Sequence, residues 1–294
     1  MKEILVISGK GGTGKTTVTA ALADMAARNN RLVLADADVD AANLELLLSA
    51  NEEEKFPFMA GKVAVIDDTL CTACGLCESI CRFDAVRQGM QGNFQIDPAF
   101  CEGCLACLHQ CPASAIHTQT HQSGEWYRSG TPYGTLFHAN LYPGEENSGK
   151  LVTQVKEDAR IYGRDHGASV MLIDGPPGIG CPVTAALNGV HTAVIVSEPT
   201  LTGFHDLQRV KAAADFFHIR CLLVINKHDL QAEIKRDMQQ FAQEVDMPIA
   251  GLIPYDENIP QAQLIREPIT RSLPNDYLLL FEQMWETIWR EVRE

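Results

Sequence analysis

The chain has 294 residues, 46% of them hydrophobic, and 24 basic against 38 acidic side chains give a formal net charge of −14. That length accommodates one large domain and a small one, and the acidic balance argues against a nucleic-acid groove, which needs a basic face. No apolar run approaches the roughly 20 residues of a membrane span. The opening MKEILVISGK reads as a strand entering a loop rather than a signal peptide, so the ten cysteines are expected in a reducing cytoplasm, where clustered thiols bind metal.

In chain order, residues 3–8 read as a buried parallel strand. A Gly-rich loop follows, then an alanine-rich helix from about Lys15 to Asn29, a second strand at 32–36 and a helical stretch at 41–48. The pattern changes near Gly61: residues 61–118 hold eight cysteines in two similar halves. Ile66-Asp67 precedes the first group as Ile96-Asp97 precedes the second, and Ala85-Val86 follows it as Ala115-Ile116 follows the other. A shift of 30 residues relates all these pairs, which marks an internal duplication. Residues 119–149, rich in Gly, Ser, Tyr and His, fit either a hairpin or a return loop. A helix at 149–165 leads into alternating strands and helices: SVMLID, TAVIVS, a helix after Thr202, CLLVIN, a helix at 231–245 and PIAGLIP. Such alternation predicts an α/β fold, a mostly parallel sheet covered by helices on both faces. The predicted domains are 1–60 with 119–294, interrupted by an α+β insertion at 61–118. The last segment has apolar residues at 277, 281, 284, 285, 288 and 292, a helical spacing. A membrane-surface helix would carry a basic polar face; Asp276, Glu282, Glu286, Glu291 and Glu294 against Arg290 and Arg293 favour a helix packed on the body.

Residues 9–16, GKGGTGKT, match G-x-x-x-x-G-K-[ST] between a strand and a helix. Small residues let the N–H groups of Gly9, Lys10, Gly11, Gly12, Thr13 and Gly14 wrap phosphates, and the helix beginning here adds its positive end. Lys15 should reach the β- and γ-phosphates and the Thr16 hydroxyl should sit on Mg²⁺, with Thr17 completing the loop. The segment KGGTGKTT resembles the deviant phosphate loop of the MinD/Mrp/ParA family, which includes the nitrogenase iron protein. That resemblance implies that Lys10 reaches across a nucleotide-sandwich dimer, formed with itself or a related ATPase. It also implies that DADVD at 36–40 is the first switch, with Asp38 orienting the attacking water and Asp36 near the metal, while Asp40 reads as a helix cap. LIDGPPGIG at 172–180 resembles the second switch: Asp174 would hold Mg²⁺, and Gly175 and Gly178 would let the backbone shift. Asn226-Lys227-His228-Asp229 fits N-K-x-D, where Asn226 would serve a purine; ATP is the expected nucleotide, with GTP left open.

The cysteines read C-x2-C-x2-C-x3-C twice, at 71, 74, 77 and 81 and at 101, 104, 107 and 111. This is similar to two-cluster bacterial ferredoxins, in which the fourth cysteine of each group ligates the other [4Fe–4S] cluster. The resemblance implies the sets Cys71, Cys74, Cys77, Cys111 and Cys101, Cys104, Cys107, Cys81. Cys111 is followed by Pro112 as the pattern requires, whereas Arg82 follows Cys81. C-x2-C pairs would also suit zinc. Cys221 opens an apolar strand and reads as buried filler. Cys181 lies seven residues after Asp174, the interval of a cluster-ligating cysteine in the nitrogenase iron protein, but no second cysteine accompanies it. The C-P-x-C of Mrp-type carriers is also absent, Val183 and Thr184 following Pro182. Cys181 is therefore either a ligand or a packed switch residue.

Residues 1–50 and 150–270 thus look like a MinD/Mrp ATPase body, with a ferredoxin placed between its two switches. The combination implies ATP hydrolysis that controls electron transfer through two clusters to a redox partner. Alternatively, ATP controls cluster transfer to an apo-metalloprotein, or the chain is a spatial-positioning ATPase. Neither nucleic-acid binding nor stable membrane insertion is expected.

Overall fold

The computed structural model describes residues 1–89 and 92–293, the side chains of residues 262 and 263 excepted; Glu294 of the acidic terminal set lies outside them. The chain begins with β1 (Lys2–Ser8), α1 (Lys15–Ala27), β2 (Leu32–Asp36), α2 (Leu44–Leu47) and the long β3 (Asn51–Ile66). Short elements follow: α3 (Leu76–Ile80), β4 (Val86–Gln88), β5 (Phe94–Ile96) and α4 (Ala106–Gln110). Two strands, β6 (Ile116–Thr131) and β7 (Gly134–Leu141), precede α5 (Ser148–Asp165). The remainder alternates: β8 (Val170–Pro177), α6 (Cys181–Leu187), β9 (Thr192–Ser197), α7 (Leu201–Phe216), β10 (Arg220–Asn226), α8 (Ala232–Glu244) and β11 (Ile249–Ile253). Three helices close the chain, α9 (Asn258–Gln263), α10 (Ile269–Ser272) and α11 (Asn275–Arg293).

Nine strands form one sheet in the order β11-β10-β9-β1-β8-β2-β7-β6-β3. From β11 to β7 every neighbouring pair is parallel, as the α/β pattern predicts. The segment at 119–149, readable as hairpin or loop, supplies β6 and β7 with only two residues between them. So short a connection requires antiparallel neighbours. The central strands are buried on both faces, which explains why they read as continuous apolar runs rather than alternating ones. Alternate residues still divide between the faces. Ile4, Val6, Leu172 and Val194 join one core with α1 and α11.

The terminal helix packs on this body. Tyr277, Phe281, Met284, Trp285, Ile288 and Val292 are its buried residues, the stripe its spacing marks out. No helix among the described residues is long and apolar enough to cross a membrane. On α5, the buried Lys156 ammonium donates to the carbonyls of Ala185, Ala186 and Asn188. It thereby supplies donors that the carboxyl end of α6 lacks, and its burial lowers its pKa to about 8.

The chain divides into two compact units: residues 1–56, 126–140 and 148–294, and residues 57–125 with 141–147. In the second, the duplication is visible in the backbone. Helix α4 repeats α3 thirty residues on. Ala73 and Gly103, Gly75 and Leu105, and Asp84 and Ser114 all have positive φ, again thirty apart. The halves are cross-tied, since Asp67 N–H donates to Ala115 O at 2.7 Å and Asp97 N–H to Ala85 O at 2.8 Å.

Candidate functional site

The loop between β1 and α1 is shaped by what its glycines avoid. A Cβ on Gly9 would stand 2.4 Å from Asp206 Cβ, and one on Gly14 would stand 2.4 Å from Asn226 Nδ2. Gly12 and Gly14 have φ of 78° and 88°, the left-handed region that glycine enters without a Cβ clash. Around Gly11 and Gly12 a Cβ would meet nothing within 4 Å. That open backbone cradle at the start of a 13-residue helix suits a phosphate chain.

Lys15 projects into a group of carboxylates at the carboxyl ends of neighbouring strands. Asp36 ends β2, Asp174 lies in the second half of β8, and the two are register partners. Lys15 Nζ lies 2.9 Å from Asp174 Oδ1 and 3.5 Å from Asp38 Oδ2, and donates to Thr16 Oγ1 at 3.3 Å. Burial disfavours the Lys15 charge, but Asp174, Asp36 and Asp38 outweigh it and raise its pKa. One ammonium therefore faces three carboxylates. The surplus shows at Asp36, pushed up to about 7 by burial first and by Asp174 second, and at Asp38, raised mainly by burial. Asp174 is fully buried, and its Oδ2 has no hydrogen-bond partner. A buried carboxylate oxygen left unpaired is costly. A divalent cation at this point would satisfy both that oxygen and the charge excess, so the residues present fit Mg²⁺.

Two contributors were not legible as motifs. The Thr19 hydroxyl faces both Asp174 Oδ1 at 2.8 Å and its own helix at Lys15 O, 3.0 Å; its only sequence signal is its place one turn beyond Lys15. Glu198, just past β9, pairs with Lys10 and, at 3.2 Å, with Lys227. Lys10, expected to reach a partner's nucleotide, is thus held within its own chain. Other expectations shift too. Asp40 does not cap α2, whose N-terminal N–H groups at Asn43 and Leu44 bond Asp36 Oδ2 instead. Gly175 also meets a packing requirement, because a Cβ there would stand 2.8 Å from Leu5 Cδ1 and 2.9 Å from Val6 O.

Beside the loop lies a cavity of about 360 Å³ lined by Val18, Asn226, Pro254, Tyr255 and Asp256 among others, a size suited to a nucleobase. The Asn226 amide is committed to the protein: Nδ2 donates to Thr13 O at 2.7 Å, and Oδ1 accepts from Lys227 N–H at 2.9 Å. It fixes the loop more than it offers a base-pairing edge. Asp229 accepts from Tyr255 N–H at 2.7 Å. Thr17 is buried on the cavity wall.

In the other unit, two cavities are each lined by four cysteines. Cys71, Cys74, Cys77 and Cys111 surround one, with Phe94 and Pro112. Cys81, Cys101, Cys104 and Cys107 surround the other. These are the crossed sets that the ferredoxin resemblance implies, and Arg82 after Cys81 does not remove Cys81 from its set. Ala115 N–H donates to Cys111 Sγ at 3.3 Å, a contact that favours a thiolate. Burial raises the Cys77 and Cys107 thiols. Among the described residues, no three His, Cys, Asp or Glu side chains are grouped as a single metal ion needs. The soft sulfur donor sets and their shared cavities fit iron–sulfur clusters. Cys221 is buried. Cys181 is exposed at the first turn of α6 and lines neither cavity.

Comparison with known proteins adds four findings. The family described as the CobQ/CobB/MinD/ParA nucleotide binding domain matches residues 4–269. The uncharacterized protein MJ0578 of Methanocaldococcus jannaschii is 32% identical over 261 residues, which cover 88% of this chain and 86% of that one. The pyruvate synthase subunit PorD of the same organism is 38% identical over 52 residues, 18% of this chain and 60% of the subunit. Among solved structures, the septum site-determining protein MinD of Pyrococcus horikoshii, complexed with Mg-ADP, superposes with a TM-score of 0.59 at 18% identity, covering 98% of this chain and 95% of that one; at that identity the likeness concerns the fold.

Proposed function

The chain belongs to the CobQ/CobB/MinD/ParA nucleotide-binding family, and on that premise we propose that it is an ATPase whose nucleotide state governs electron transfer through two [4Fe–4S] clusters. The observation that carries this reading is the pair of four-cysteine cavities, formed by the two crossed sets in the same chain as a complete phosphate loop. The 52-residue similarity to a pyruvate synthase subunit supports a role beyond nucleotide hydrolysis.

The chemistry follows from the placed residues. The N–H groups of residues 9–16 and the Lys15 ammonium hold the β- and γ-phosphates. Thr16 and Asp174 would hold Mg²⁺, with Asp36 beside them, and the ion would neutralise the charge that develops on the transferred phosphoryl group. Asp38, 3.5 Å from Lys15, orients water for in-line attack. Thr19 fixes the Asp174 carboxylate by its hydroxyl. Adenine is favoured over guanine, because the aspartate that reads guanine in N-K-x-D corresponds to Asp229, and Asp229 is turned to the Tyr255 backbone. Lys10, once released from Glu198, would reach the nucleotide of a second ATPase subunit. The clusters would relay electrons one at a time between redox partners.

A second reading, cluster delivery to an apo-metalloprotein, is supported by the exposure of Cys74 and Cys104, one in each set. A positioning ATPase would have no use for either set. Anaerobic protein should carry about eight iron atoms, four per cubane, and MgATP should shift the EPR spectrum of the reduced clusters without loss of iron. Lys15→Ala should abolish the shift. Iron passing to an apo-acceptor would favour delivery; a Lys15→Ala protein whose clusters respond as wild type would sink the coupling.

A further inference from the structure

Outside the nucleotide site, Glu45 on α2, His138 on β7 and Ser129 on β6 form a line of polar side chains in the first unit. Ser129 Oγ lies 2.9 Å from His138 Nε2. On the other side of the ring, Nδ1 lies 2.9 Å from Glu45 Oε2. That second contact is within hydrogen-bond distance but lacks hydrogen-bond alignment, so a small movement of α2 would tighten or break it. The ring of His138 stacks on Tyr127, centroids 5.0 Å apart. Acid, imidazole and hydroxyl stand in the order of a hydrolytic triad, but Ser129 is 1% exposed and His138 2%. No substrate reaches that hydroxyl, and the line must serve another purpose.

Its ends indicate which. The residue before Glu45, Leu44, gives its N–H to Asp36 Oδ2 at 3.0 Å, and Asn43 does the same at 3.1 Å. Asp36 Oδ1 accepts from Asp38 N–H at 3.0 Å. The position of α2 is therefore set by a carboxylate of the nucleotide site. At the other end, β6 is continuous from Thr131 back to Ile116, five residues after Cys111. Within the first unit β6 is also fastened to β3, the strand by which the chain enters the cysteine unit. Arg128 Nη2 lies 2.9 Å from Glu54 Oε1, and Trp126 stacks on Phe56 at 4.1 Å. A shift of Asp36 or Asp38 that moves α2 would change the Glu45–His138 contact, and a displaced His138 ring would either carry Ser129 and β6 along or leave the buried Ser129 hydroxyl without its partner.

We propose that Glu45, His138 and Ser129 are positioning residues that transmit the nucleotide state at Asp36 and Asp38 to the strand leading into the cysteine unit. The proposal rests on the coupled-ATPase reading and names the side chains that do the coupling. Transmission is measured directly.

Hydrogen–deuterium exchange of the holoprotein would be followed with and without MgATP. In wild type, MgATP should change the exchange rate of β6 amides at 126–131 by about threefold or more. In Glu45→Gln and in Ser129→Ala that change should fall below half, while ATP turnover stays within about twofold, the range of substitutions remote from the chemistry. His138→Gln should remove it, with the two milder variants guarding against a folding defect. A purely structural role would raise β6 exchange equally in both nucleotide states and overturn the proposal. So would variants that respond like wild type, or a wild type whose β6 does not respond. If β6 responds but the cluster EPR signal does not, the link stands and the electron-transfer reading fails.

Discussion

On the proposed dimer reading, replacing Glu198 by glutamine should tighten ATP-dependent dimerisation. The Lys10 ammonium can reach a second subunit only by leaving Glu198, and Glu198 also holds Lys227. Burial alone would raise the Glu198 carboxyl, yet the two lysines bring it below the usual carboxylate value, so the contacts are favourable. With Lys10 32% exposed and Glu198 12%, the pair belongs near the upper end of surface ion pairs, about 1 kcal/mol. A symmetric dimer releases two such pairs, about 2 kcal/mol, which corresponds to roughly a 30-fold lower dimer Kd. Glutamine keeps the shape and removes the charge. Sedimentation equilibrium with MgATP, in an Asp38→Ala background to slow turnover, measures the constant. A dimer Kd equal to or weaker than that of the parent would refute the reasoning, as would a gain that persists when Lys10 is also replaced by alanine.

Two further predictions separate fold from site. Gly14→Ala must place a Cβ 2.4 Å from Asn226 Nδ2 at a φ of 88°. Left-handed strain of about 1–2 kcal/mol and a weakened Asn226–Thr13 bond of about 1 kcal/mol should lower the Tm by roughly 5–10 °C in a thermal melt. Gly11→Ala, where a Cβ meets nothing, should leave the melt unchanged and weaken ATP binding by calorimetry, because the space it fills is the phosphates'. A Gly11→Ala protein that binds ATP as wild type does would contradict the cradle. Under anaerobic alkylation, the holoprotein should label quickly at Cys181 alone, since it is exposed and stands outside both four-cysteine sets. Cys221 should stay inert, its thiol pushed up to about 12 by burial. Iron chelation should expose eight more sites by mass spectrometry. Rapid labelling of Cys71 or Cys101 in iron-loaded protein would argue against their ligation.

Much of this was legible without coordinates because it depends on local chemistry. The loop at 9–16 must be glycine-rich to bring N–H groups onto phosphates, and strands buried on both faces must be apolar runs. The 30-residue repeat likewise appears as paired helices and paired positive φ values, because each half folds on its own local turn requirements. The terminal helix showed its buried face through period alone.

What tertiary structure decided lies in contacts between residues far apart in sequence. Lys10 meets Glu198 at a separation of 188 residues, and Asn226 meets Thr13 at 213. No local periodicity encodes either contact. Gly175 of the second switch carries a packing requirement that its own segment does not reveal, because only the neighbouring strand shows that Leu5 and Val6 occupy the space. The line from Glu45 through His138 to Ser129 joins three elements whose residues carry no motif at all. Sequence alone determined which chemical groups the protein carries and the local shapes that hold them. The order in which strands meet in the sheet determined which of those groups face one another, because pairing across a sheet is set by topology and not by distance along the chain.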